Sequence, residues 1–155
     1  MNRTDMAYRK SAVEGASGFG LMIALYDTLA GNLRRAATAQ RAGDIETRSR
    51  EAKHAFAVIG YLDNCVRLGP GGELAQKLSG FYSNLRRKII DAQARQSAEA
   101  LEQQMKAVLK IREHWQKMDL RGPATANAVV EAAGYAQVGK FPPARAERRG
   151  GGWSA

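Results

Sequence analysis

Four stretches of this chain place apolar residues three and four apart, and a short helix-breaking segment separates each from the next. That period gathers apolar side chains on one face of an α-helix, whereas a half-buried strand needs simple alternation. The first stretch carries Met22, Leu25, Tyr26, Leu29, Leu33 and Ala36, and predicts a helix capped by Ser17 and running to about Arg41. In "AGD", Gly43 closes that helix and Asp44 caps the next. The second helix holds Ile45, Ala52, Ala55, Phe56, Ile59, Leu62 and Val66, and stops at "GPGG", Gly69 to Gly72. A third starts near Glu73, whose carboxylate suits a positive helix N-terminus, and continues through Leu74, Leu78, Phe81, Tyr82, Leu85, Ile89 and Ala92. Ser97 caps a fourth, with Leu101, Met105, Val108, Leu109, Arg112 and Trp115; it finishes near Met118, ahead of the stop "RGP".

No segment reads as a strand. Four helices of roughly 20 residues with short connections become antiparallel neighbours, so the expected fold is all-α, an antiparallel up-down four-helix bundle. Residues 1–16 read as an N-terminal arm, extended or loosely helical, with Tyr8 and Val13 as anchors. Residues 17–118 form the bundle. Residues 119–155 shift to Ala, Gly, Arg and Pro and read as a basic, largely disordered tail, with room for a short helix at Thr125 to Ala133. Within the stripes, Phe56, Phe81 and Trp115 read as core. Tyr26 and Tyr82 fall at stripe edges, where a tyrosine offers a ring to a groove and a hydroxyl to water.

The residues needed for catalysis are missing from the pattern. Cys65 stands alone, and His54 and His114 are isolated, so neither a disulfide framework nor a metal cluster is expected. Glu113 and His114 are adjacent and point in different directions on a helix. The glycines at 69–72 follow a helix and lack the Lys-Ser/Thr ending of a phosphate loop. No serine or cysteine sits in a nucleophile signature. The expectation is a protein that is not an enzyme and uses no cofactor or metal.

A net charge of +9 points toward acidic partners in principle. The excess is spread through "NLRR", "RRK" and "PARAERRGGG" with no interleaved aromatics, so nucleic acid is not an expected partner. The oily opening of the first helix, "GFGLMIALYDTLAGNLRRA", has only about eight apolar residues, Phe19 to Tyr26, before Asp27. A spanning helix needs about 20, and a secretory leader of this kind would sit at the short limit of its class. A cytoplasmic protein with no membrane insertion is expected.

Five pieces of sequence, in order, resemble the flagellar export chaperone family, FliS. They are "YRKSAVEGAS", "LMIALYDTL", "AFAVIGYLDNCV", "GGELAQKLSGFYSNLRRKIIDAQ" and "VLKIREHW", which together run from about Tyr8 to Trp115. The resemblance implies a cytoplasmic helical bundle that binds the disordered C-terminal segment of flagellin. Such binding prevents premature polymerisation and keeps the client ready for flagellar type III export. It also implies that the arm around Tyr8 to Val13 lies over part of the client groove when no client is bound. The partner-binding residues expected on this basis are Tyr8, Val13, Leu25, Tyr26, Leu29, Ile59, Leu62 and Tyr82. Two departures stand out: Ser17-Gly18 replaces a Ser-Pro common in the family, and the tail beyond Asp119 is longer and more basic than the family core requires. The tail reads as a solvated extension, with a contact to the flagellar export apparatus or an acidic regulator as the alternative. A regulatory or adaptor bundle that binds another protein is the competing reading of the whole chain.

Overall fold

The computed structural model describes residues 18–69 and 71–120, without the side chains of residues 18, 19 and 119. The expected N-terminal arm, the Ser17 cap and the tail from residue 121 lie outside the described residues. Four α-helices follow in order: α1 (Gly18–Arg41), α2 (Ile45–Leu68), α3 (Glu73–Ala94) and α4 (Ala98–Asp119). No strand occurs among the described residues, and no described helix is long and apolar enough to cross a membrane. The architecture is the up-down-up-down bundle that the spacing predicts.

Two of the three turns use one residue to end a helix and begin another. At the first, the Asp44 N–H reaches back to the Ala39 carbonyl at 2.9 Å, the closing bond of a Schellman turn, with Gly43 at φ +72°. The Asp44 side chain then accepts the Thr47 N–H at 3.0 Å and caps α2; that bond holds its carboxyl below the usual range. The third turn repeats the device. Ser97 N–H donates to Ala92 O at 2.9 Å, and Ser97 Oγ accepts from Ala100 N at 3.1 Å. Such doubled caps leave little slack, so each helix folds back directly on its predecessor. The second turn differs: its glycines leave α3 without a side-chain N-cap.

The helices form a ring in which α1 packs most closely on α4 and α2, while α3 closes the circle more openly. Met22, Leu29, Leu33, Ile59, Leu62, Leu85, Ile89 and Leu101 fill the centre. Polar groups fix the antiparallel registers. Between α1 and α2, Arg35 Nε meets Glu51 at 3.2 Å and Arg48 Nη1 donates to Gln40 at 2.7 Å. Between α2 and α3, the buried Asp63 carboxylate accepts from Ser79 Oγ at 2.9 Å and pairs with Arg86 at 3.4 Å; Arg67 on its own helix adds a contact at 3.1 Å. A buried charge is tolerated because several donors replace its water. Between α4 and α1, Arg112 clasps Asp27 through Nε and Nη2, and Arg41 pairs with Glu102.

Some side chains depart from the expected stripes. Ile45 and Leu109 are exposed rather than packed. Ile45 is the first residue of α2, beyond the reach of the facing helices, and Leu109 lies one step, about 100°, round the helix from the buried Val108. Phe56 and Phe81, expected in the core, are half-buried on its border. Phe81 and Tyr82 are likewise one step apart, so only one can point inward, and Tyr82 does.

Two measurements test this packing. Gln96 adopts φ +52°, a left-handed conformation that costs a residue with a Cβ roughly 1–2 kcal/mol. Gln96→Gly should therefore raise the unfolding free energy by about 1 kcal/mol; an unchanged denaturant midpoint would show that the turn carries no such strain. Cys65 is fully buried, and burial pushes its thiol up to about 11. Native protein at pH 8 should resist Ellman's reagent, and labelling in rising denaturant should track loss of the helical signal. Fast labelling of the folded protein would contradict the packing of α2.

Candidate partner-binding surface

Three of the short sequence pieces meet at one point in the core. Tyr26 of "LYD" on α1 and Tyr82 of "GFY" on α3 are both fully buried, and their hydroxyls share a hydrogen bond of 2.7 Å across the bundle. Trp115 of "REHW" on α4 packs edge-on against Tyr26, with ring centroids 6.3 Å apart at 66°. Asp27 and Arg112, from the same two pieces, clasp on the outside of that contact. A pair of residues in each of two motifs thus joins α1 to α4, one pair inside and one at the surface.

This knot changes the location of several expected binding residues. Tyr26, Leu29, Ile59, Leu62 and Tyr82 are at 0% exposure, in the core rather than along a groove edge. The three-and-four period marks a helix face but does not separate its centre from its border. A buried partner for each hydroxyl removes the need to keep it wet. Leu25 is half-buried and packs against the core from the α1 side. Tyr8 and Val13 lie outside the described residues.

The apolar surface that is within reach lies instead beside α3. Ser79 and Arg86, seven residues apart, turn one flank of α3 toward Asp63 on α2. Leu74 and Phe81, also seven apart, therefore occupy the opposite flank, facing α4. On α4, Glu102 and Arg112 turn toward α1. Its other flank carries Ala100, Ala107, Ile111 and Met118, at helical repeats of one another and all half-buried. The α3/α4 seam is thus lined by Leu74, Phe81, Ile111 and Met118 over small alanines. Up-down topology puts its Leu74–Met118 end at the pole where α1 begins and α4 ends. Sequence reasoning included Leu74 and Phe81 in a stripe yet assigned neither to the surface. The available signal was the polar run of Lys77, Asn84 and Lys88 interleaved on that flank, which marks it as a border.

Among the described residues, no group of three His, Cys, Asp or Glu side chains is placed to hold a metal. The arrangement supplies apolar grooves between helices, with charge on the outer faces, suited to receiving an amphipathic segment of another protein.

Comparison with known proteins agrees with the motifs. The family model described as "Flagellar protein FliS" matches residues 1–121. The chain is similar to the flagellar secretion chaperone FliS of Salmonella typhimurium strain LT2, at 30% identity over 113 residues, covering 70% of this chain and 82% of that protein.

The tyrosine pair has measurable consequences. Tyr26→Phe and Tyr82→Phe should each lower the unfolding free energy by about 1 kcal/mol. The double variant should cost less than the sum, because both changes remove the same bond; strict additivity would place the two hydroxyls apart. Tyr82→Glu, which buries a carboxylate in the core, should abolish the cooperative helical signal. A folded Tyr82→Glu variant would return Tyr82 to the surface.

Proposed function

This chain belongs to the FliS family, and from that premise we propose that it is a flagellar secretion chaperone whose client is the disordered C-terminal segment of flagellin. The match across the whole bundle, together with its likeness to a named secretion chaperone, carries the reading. In the cytosol the chaperone holds this segment away from other flagellin subunits and delivers it, still unpolymerised, to the export machinery. It works by non-covalent binding, with no cofactor.

The α3/α4 seam is the part of the surface we assign to the client. A segment that orders on binding loses conformational entropy, and burial of apolar side chains over a long contact must offset that loss. Leu74, Phe81, Ile111 and Met118 supply such a contact without requiring the bundle to open. Leu25 contributes from α1. In the arm, Tyr8 and Val13 contact the client or cover its site in its absence; the arm joins the bundle at the pole where the seam ends. Tyr26, Leu29, Ile59, Leu62 and Tyr82 act from inside, by fixing the positions of the groove walls.

Calorimetric titration with a flagellin C-terminal peptide should give a 1:1 complex. No binding at micromolar protein would overturn the proposal. Phe81→Ala and Ile111→Ala should each weaken that complex at least tenfold, on the order of 1.4 kcal/mol or more, with the helical spectrum retained. Removing residues 121–155 should leave the affinity within about twofold. Loss of all binding on that deletion would move the client site to the tail.

A further inference from the structure

The opposite seam, between α1 and α4, carries three features that the bundle itself disfavours. Gly31 sits in the interior of α1, where glycine weakens a helix. A Cβ built there would meet the Arg35 guanidinium at 3.1 Å, which Glu51 and Asn32 hold in place, and no atom of α4 is among its nearest neighbours. Leu109 on α4 is 39% exposed. Beside it, Lys106 and Lys110 are four residues apart on one helix face, a spacing at which like charges repel.

Gly31 and Leu109 line one depression, and Leu109 also lines a second that carries the two lysines. Asp27, Ala30, Gly31, Arg34, Met105 and Leu109 line a surface depression of about 280 Å3. It continues past Leu109 onto a shallower area of about 440 Å3 that Lys106 and Lys110 edge. Asp27 is already engaged by Arg112. Arg34, Lys106 and Lys110 have no carboxylate within ion-pair distance among the described residues. The groove therefore has a floor that includes Ala30, Gly31, Met105 and Leu109, and a rim on which Arg34, Lys106 and Lys110 outnumber the one carboxylate not engaged by Arg112, Glu113.

We propose that the α1/α4 groove is a second protein-binding site, whose occupant is an acidic amphipathic helix of a partner protein. Apolar residues of that helix lie over Gly31, Met105 and Leu109, while flanking carboxylates meet Arg34, Lys106 and Lys110. A nucleic acid fits less well, because no aromatic residue along the lining offers a base a stacking surface. Because this seam flanks α4 on the side away from α3, its occupancy is independent of a client on the α3/α4 seam.

The test titrates the 15N-labelled full-length chain with a designed helical peptide that has a leucine stripe flanked by glutamates. A matching peptide with lysines for the glutamates and a short single-stranded oligonucleotide serve as comparisons. Amide shifts should centre on Gly31, Arg34, Met105 and Leu109, and affinity should fall with salt. Leu109→Glu, which places a carboxylate on the apolar lining, and the double change Lys106→Glu, Lys110→Glu should each weaken binding at least tenfold with the helical spectrum and melting temperature retained. A saturating flagellin C-terminal peptide should leave the titration unchanged. No saturable binding, shifts centred elsewhere, or full affinity in both variants would overturn the proposal. So would equal binding of the lysine peptide or the oligonucleotide, or competition by the flagellin peptide.

Discussion

The bond between the Tyr26 and Tyr82 hydroxyls sets the terms for the rest of the bundle. It joins α1 to α3, which face each other across the core rather than sharing a seam, and it lies where water does not reach. Two hydroxyls left separate in that place would each lose solvation without compensation. Moving α3 along or around its axis would cost both at once, which fixes its register more sharply than apolar contact does. Trp115 stacks edge-on against Tyr26, so α4 is positioned by the same group.

With that centre fixed, the seams differ for identifiable reasons. The α1–α2 and α3–α4 turns are tight because Asp44 and Ser97 each serve two helices. The α2–α3 turn is built from glycines and leaves the entry to α3 without a side-chain cap. The α3 helix is held instead by a few strong points: the tyrosine bond, the Asp63 cluster and its apolar stripe. Between those points its seam with α4 keeps Phe81 and Ile111 half-buried. A protein whose task is to hold another chain needs such a surface, apolar enough to bind and framed by enough charge to stay dispersed.

The two long seams of α4 have different chemistry, and that difference underlies the division of roles assigned to them. One side presents apolar residues over alanines. The other presents cations around Gly31 and Leu109. A single helix with its stripe buried has two flanks, and in this chain they are suited to different partners.

The helices and their ends were legible in the sequence because both are local. Periodicity located Met22 through Ala36 on one face, and Gly43, Asp44 and Ser97 announced the turns by their own side chains and backbone freedom. The short motifs likewise pointed to the family. What each inward-facing residue meets is not local. Tyr26 and Tyr82 looked like groove-edge residues because a lone tyrosine in a stripe keeps its hydroxyl wet; only packing α1 against α3 gave each hydroxyl a dry partner. The same packing turned Phe81, one step round the helix from Tyr82, out toward the surface. Sequence determined which faces were apolar, and tertiary structure decided which of them stayed within reach, because burial depends on the neighbours that arrive from other helices.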